Sequence, residues 1–299
     1  MRIVFFGTPD DAVPALCALH DAGHEIALVV TQPDRRRSRR GEPEPSPVKR
    51  AATELGLPVR TPAKSREVAD EVASSGATVG VVVAFGQLLP ASVFDALPFG
   101  LVNVHFSLLP RWRGAAPVER AMLAGDEQTG VCLMRIEAGL DTGPVFACRS
   151  TPIGAEETAG ELRARLVDLG AALLLQELPG IPGREPVPQS GEPTYAEKLT
   201  VDEFRIDPAR PAAELDRVVR AGNPRPGAWL MVDGERVKVW RAHVEPSGGT
   251  TSPDALDTHA RLATGSGVLV LDEVQPQGRR PMSAQAWLAG RRGAPLRVG

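Results

Sequence analysis

Over its first 150 positions the chain alternates short apolar runs with stretches that repeat apolar residues at helical spacing. Residues 3–6, 26–30, 79–85 and 101–105 are near-continuous apolar runs, the mark of strands buried on both faces. Between them, Val13, Leu16 and Leu19 share one side of a helix over 12–20 that Gly23 stops, and 48–55 reads as a helix closed by Gly56. The strongest run is Val-Gly-Val-Val-Val-Ala-Phe at 79–85. Strands alternating with helices predict an α/β domain built on a doubly wound, mostly parallel sheet. Ligands on such sheets bind at the C-terminal ends of the strands. Gly7-Thr8-Pro9, Gly86-Gln87 and the segment after 101–105 are therefore expected to converge on one crevice.

The pattern then changes. Glu157-Thr158 precedes a helix that runs to about residue 178, with Leu162, Leu166, Leu169, Leu173, Leu174 and Leu175 on its apolar side. Residues 179–193 are rich in Pro, Gly and polar side chains and read as a linker. Beyond it a helix is expected over 211–221, then short strands at 228–232, 236–242 and 267–274, parted by turns such as Asp233-Gly234. These elements predict a small β-barrel or sandwich. The boundaries drawn are an α/β domain at 1–178, a linker at 179–204 and a β-barrel domain at 205–299.

Composition narrows the class. At 299 residues, 42% hydrophobic and 24% charged, with no apolar run of membrane-spanning length, the chain reads as a soluble globular protein. The opening Met1-Arg2-Ile3-Val4-Phe5-Phe6-Gly7 has no basic lead and no cleavage site, so it reads as a first strand rather than a signal peptide. Cys17, Cys132 and Cys148 match neither a disulfide framework nor zinc-ligand spacing, which points to a reducing cytoplasm. Net charge is −3, unevenly spread: residues 205–299 carry 14 Lys and Arg against 10 Asp and Glu (+4), and the remainder 20 against 27 (−7). A basic end on an acidic body hints at a polyanionic partner, though scattered surface charge gives the same balance.

Candidate chemistry starts at Asn103-Val104-His105. Residues two apart on a strand face the same side, so the carboxamide and the imidazole point together. Asp141 follows on a glycine-flanked turn, Gly139-Leu140-Asp141-Thr142-Gly143. Singly, each has an ordinary structural explanation, because strand-end Asn and His are commonly scaffold and an Asp between glycines shapes its own turn. The stretch after His105 is unlike a plain strand-to-helix connection: Phe106-Ser107-Leu108-Leu109-Pro110-Arg111-Trp112-Arg113-Gly114-Ala115-Ala116-Pro117 holds two prolines and two arginines in an apolar frame.

Taken together, Asn103-x-His105-x-Ser107-Leu108-Leu109-Pro110, Arg113-Gly114-Ala115-Ala116-Pro117 and the Asp141 turn resemble the motifs of the folate-dependent formyltransferases. The similarity also covers Phe6-Gly7-Thr8-Pro9, Thr31-Gln32-Pro33-Asp34, Pro45-Ser46-Pro47-Val48, Asn223-Pro224 and Gln275-Pro276 with Met282, and so spans nearly the whole chain. The resemblance implies a Rossmann-like first domain and an OB-like second one. It implies formyl transfer from 10-formyltetrahydrofolate, a co-substrate, to the amino group of initiator methionyl-tRNA, with no metal, by a cytoplasmic monomer away from membranes. Asn103 and His105 are then expected to polarise the formyl carbonyl, and Asp141 to take the amine proton and orient His105. Phe85, Gly86, Gln87, Leu88 and Leu89 are expected to form one wall of a folate slot, and Ser107, Leu108, Leu109 and Pro110 the other. The competing view is that both Leu-Leu-Pro stretches plug the core.

Arg35, Arg36, Arg37, Arg39 and Arg40 put five arginines in six residues after the second strand, on the same rim. Such a run is commonly a solvated loop; the resemblance makes it a tRNA contact, with Arg forks on phosphates. Two departures from the family stand out: the run is Arg-rich rather than Lys-containing, and Asp11 stands where a Phe is common. Three other readings stay open. An amino-sugar formyltransferase would share Asn103, His105 and Asp141. A binding module without catalysis is a second, although Gly7-Thr8-Pro9 lacks the G-x-G-x-x-G of a dinucleotide site. Hydrolysis of formyl-folate is the third.

Overall fold

Seven strands make the first sheet: β1 (Arg2–Gly7), β2 (Glu25–Val30), β3 (Val59–Arg60), β4 (Val79–Val83), β5 (Leu101–His105), β6 (Gln128–Arg135) and β7 (Val145–Pro152). Their order is β7-β6-β5-β4-β1-β2-β3, in a computed structural model that describes residues 1–36, 41–245, 255–291 and 296–299. β1 to β5 pair in parallel, as the apolar runs predict, while β6 and β7 are antiparallel at one edge. The sequence reading contains no such antiparallel pair, although the apolar run from Val131 to Met134 carries its signal. Ile3, Val4, Phe5 and Phe6 are fully buried, as are Val79 and Val81. Burial on both faces is what a covered parallel sheet requires, and each such side chain contributes roughly 1.5–3 kcal/mol.

Helices α1 (Val13–Asp21), α2 (Pro47–Glu54), α3 (Ala69–Ser74), α4 (Ala91–Phe94), α5 (Pro117–Ala124) and α6 (Ala159–Glu177) follow. Ser46 caps α2, its hydroxyl accepting the Lys49 N–H at 3.0 Å. Thr158 and Glu161 form a capping box at α6: the Thr158 N–H donates to the Glu161 carboxylate at 2.9 Å and the Glu161 N–H to the Thr158 hydroxyl at 3.3 Å. Leu162, Leu166, Leu173 and Leu174 are buried, as the helical spacing predicts. A side chain at Gly170 would meet Val104 at 2.9 Å, so this glycine lets α6 lie close on one face of β5 and leaves Asn103 and His105 on the other.

The chain divides by proximity into two units. One comprises Met1–Pro117, Gln128–Pro152 and Arg163–Ala196, the other Val118–Glu127, Ile153–Leu162 and Glu197–Gly299. Two findings differ from the sequence reading. Cys132 and Cys148, expected unpaired, face each other across β6 and β7 and form a disulfide, while Cys17 is free. A separation of 16 residues closes a hairpin here, which spacing alone does not reveal. The Pro- and Gly-rich stretch read as a linker is also held in place. Val187 and Val145 exchange backbone bonds at 2.8 Å, and Tyr195–Ala196 pairs with Arg113–Gly114. Pro and Gly mark a lack of regular structure, which is not the same as freedom.

In the second unit α7 (Ala212–Gly222) accompanies strands β8 (Ala228–Val232), β9 (Glu235–Glu245), β10 (Ala255–Leu256), β11 (Arg261–Ala263), β12 (Val268–Pro276) and β13 (Leu296–Arg297), in the order β8-β9-β12-β11-β10-β13. The edges meet: Val232 bridges Val298, and the Asp233 N–H donates to the Arg297 carbonyl at 2.9 Å. The antiparallel sheet thereby curls into the OB-like barrel that the resemblance implies. No helix among the described residues is long and apolar enough to cross a membrane.

Candidate active site at the ends of the parallel strands

β1, β2, β4 and β5 run in parallel, so the segments that follow them leave from one edge of the sheet. The Phe85 carbonyl ties three of these segments together, accepting from Thr8 Oγ1 at 2.8 Å and from Gln32 Nε2 at 2.9 Å. Gly86 adopts φ +80°, which strains any other residue, and a Cβ there would lie 2.5 Å from Gln32 Nε2 and push that amide from the Phe85 carbonyl.

At the end of β5, His105 is buried. Its Nε2 lies 2.9 Å from the Trp112 carbonyl, and Trp112 itself adopts φ +60°. A carbonyl only accepts, so Nε2 donates to it and Nδ1 is the ring nitrogen left to face other groups. That Nδ1 faces Asp141 Oδ2 at 3.7 Å. Asp141 Oδ2 is fixed in turn by the Gly114 N–H at 2.8 Å. Asn103 is half-buried and, by strand alternation, shares the face of His105. Its side chain makes no hydrogen bond among the described residues.

The two expected folate walls follow neighbouring strands, β4 and β5, and differ in character. Phe85 buries its ring edge-on against Phe6, so it offers backbone rather than side chain. Gln87 Nε2 donates to the Pro62 carbonyl, and Ser65 Oγ to the Leu88 carbonyl, which leaves the Leu88 side chain 87% exposed. Leu89 packs on the core. Ser107 is fully buried, its hydroxyl donating to the Arg111 carbonyl at 2.6 Å to shape the turn. Leu108, Leu109 and Pro110 are half-buried, joined by a cis Leu109-Pro110 bond.

Of the arginine run, Arg35 and Arg36 lie in a small hairpin with Pro43–Glu44 and are exposed; Arg37, Arg39 and Arg40 fall outside the described residues. The hairpin base is anchored: Arg35 Nη2 donates to Gln32 Oε1, and Lys49 pairs with Asp34 at 2.7 Å. Asp11 pairs with Arg163 at 3.3 Å. Sequence reasoning does not find the contributions of Trp112 and Gly114, which act through backbone atoms that carry no residue signature, nor that of Gln189, which donates to the Asp141 carbonyl at 2.8 Å from within the stretch read as a linker.

This grouping of an imidazole, a carboxylate and a carboxamide fits the families found by comparison. Residues 1–178 match the family model described as formyl transferase, and residues 198–292 match its C-terminal domain model. The chain belongs to the formyl transferase family. It is 48% identical to the methionyl-tRNA formyltransferase of Paracoccus denitrificans over 97% of both chains. It is also 48% identical to the methionyl-tRNA formyltransferase of Cereibacter sphaeroides, over 97% of this chain and 96% of that one. Among solved structures, HypX from Aquifex aeolicus in complex with tetrahydrofolic acid aligns with a TM-score of 0.66 at 18% identity, over 97% of this chain. This chain spans 47% of HypX, and at that identity the likeness speaks to the fold.

Proposed function

We propose that this chain transfers the formyl group of 10-formyltetrahydrofolate to the amino group of initiator methionyl-tRNA, producing formylmethionyl-tRNA for translation initiation. It acts as a monomer in the cytoplasm, a location supported by the similarity to methionyl-tRNA formyltransferases and no longer by unpaired cysteines, since Cys132 and Cys148 are bonded. The observation that carries the chemistry is the His105–Asp141 pair at 3.7 Å, with the carboxylate fixed by the Gly114 N–H. The near full-length similarity to methionyl-tRNA formyltransferases supports the acceptor.

The amine lone pair attacks the formyl carbon, forming the new C–N bond while the carbonyl π pair moves to oxygen. Asn103 and His105 donate to that oxygen as charge develops. At 3.7 Å from Asp141, Nδ1 is beyond hydrogen-bond length, so its edge is available to a substrate oxygen. Asp141 accepts the proton that the amine sheds, directly or through a water. Collapse of the intermediate breaks the bond to the folate nitrogen, which leaves with a proton returned from the same pair. The folate lies between the 85–89 and 107–110 segments, and Arg35, Arg36, Arg37, Arg39 and Arg40 meet the tRNA backbone.

The test is Asp141→Asn in a formyl-transfer assay. The rate should fall by about 10²–10⁴-fold with 10-formyltetrahydrofolate binding intact. A folded Asp141→Asn variant with the parent's rate would contradict the assignment.

A further inference from the structure

Gln189 stands in the Pro- and Gly-rich stretch, yet every polar position of its side chain is used. Nε2 donates to the Asp141 carbonyl at 2.8 Å and to the Gly143 carbonyl at 2.7 Å. Oε1 accepts twice from Arg113, from Nε at 3.0 Å and from Nη2 at 2.7 Å. Two donors and two acceptor sites are all a carboxamide has. The residue after Arg113, Gly114, holds the Asp141 carboxylate. A closed ring results, from the Asp141 backbone through Gln189 to Arg113, and from Gly114 back to the Asp141 carboxylate.

The ring braces a left-handed position of the turn. Asp141 adopts φ +51°, a region that non-glycine residues rarely occupy unless their surroundings enforce it. A Cβ on Gly143 would lie 1.9 Å from the Arg135 carbonyl, so the far end of the turn sits tight against β6. Gln189 is itself fixed from both sides, by the Val187–Val145 backbone pair and by the Thr194 carbonyl, which accepts the Arg113 N–H at 2.9 Å. Chemistry selects glutamine at this position. A glutamate keeps the Arg113 end but turns a carboxylate toward two carbonyls, and a cationic side chain donates to the carbonyls but repels Arg113.

We propose that Gln189 is a positioning residue for the Asp141 carboxylate, acting through the turn's backbone and Arg113. This rests on the reading of Asp141 as the proton acceptor. Gln189→Glu and Gln189→Ala are each assayed for formyl transfer to methionyl-tRNA, with thermal unfolding as the control for folding. The expected result is a fall in kcat of roughly 10–100-fold, the scale of a small misplacement of a reacting group. KM for both substrates should stay within about twofold, because neither is proposed to touch Gln189. In the Asp141→Asn background, Gln189→Glu should cost almost nothing further, since a positioning residue is redundant once its target is gone. An unchanged kcat in a folded Gln189 variant, or losses that multiply fully in the double variant, overturns the proposal. A parent-like rate for Asp141→Asn alone removes the underlying reading and the proposal with it, so the two failures are distinguishable.

Discussion

The two units use one backbone device to different ends. Among the described residues, non-glycine residues with positive φ occur at Ala84, Trp112 and Asp141 in the first unit, and at Asp233 and Ala260 in the second. Each such conformation costs on the order of 1–3 kcal/mol and persists only where the structure enforces it. In the first unit all three lie at the candidate site: Ala84 just after β4, Trp112 presenting its carbonyl to His105, and Asp141 presenting its carboxylate. In the second, Asp233 at φ +48° and Gly234 at φ +78° make the tight turn between β8 and β9. Positive φ therefore sets the Trp112 carbonyl and the Asp141 carboxylate toward His105 in one unit, and at Asp233 reverses the chain in the other.

Charge differs in emphasis. At the candidate site of the first unit a single backbone donor fixes the carboxylate, as Gly114 fixes Asp141, beside one cation over a tryptophan, Arg111 over Trp112 at 5.1 Å. The second unit pairs single charges too, as Arg220 with Asp216, but lays more cations over tryptophans: Arg236 is 4.1 Å from the Trp229 ring centre, Lys238 5.2 Å from Trp240, and Arg291 5.0 Å from Trp287. Changes in the first unit should act sharply on turnover, and changes in the second should be graded.

The largest effect after Asp141→Asn is expected from Asn103→Ala, about 10²–10³-fold in kcat for loss of one donor to a developing oxyanion, with binding of both substrates little changed. A loss confined to KM would place Asn103 in binding and blur the contrast. Next, Arg35→Ala with Arg36→Ala should weaken tRNA binding and flatten its salt dependence, by roughly 0.9 log units for each phosphate no longer neutralised, leaving folate KM alone. An unchanged salt slope would remove these two arginines from the RNA. In the barrel, Arg236→Met should lower stability by about 0.5–2 kcal/mol through loss of the Trp229 stack, without touching kcat for bound substrates. Denaturant unfolding read alongside single-turnover kinetics separates the two.

Thr158→Ala should cost about 1 kcal/mol through loss of the α6 cap. Glu161 should show the smallest effect, and one tied to pH. The Thr158 N–H and hydroxyl hold its carboxyl below the usual 4.5, so the stability it adds is full above 4.5 and is lost as pH falls through the lower folded value. Glu161→Gln and the parent should differ in stability near neutral pH and converge in acid. A constant gap across that range would break the assignment.

The parallel sheet was legible because strands buried on both faces leave unbroken apolar runs, and 79–85 is the plainest of these. The Asp233-Gly234 turn was legible because its strain has a residue signature. Asn103, His105 and Asp141 could be singled out by residue type and motif. What holds them could not, because the Trp112 carbonyl and the Gly114 N–H are atoms of the main chain that nearly every residue possesses. The Cys132–Cys148 bond depends on the register of a hairpin, and the Gln189 ring on tertiary packing of an irregular segment, so neither leaves a periodic trace.

The most direct measurement is formyl transfer from 10-formyltetrahydrofolate with methionyl-tRNA and a nucleotide-linked amino sugar offered as parallel acceptors. Formylation of the tRNA, collapsing when the arginines of residues 35–40 are replaced by alanine, is the expected result. Transfer to the sugar alone, or release of formate with neither acceptor modified, would contradict the proposed function.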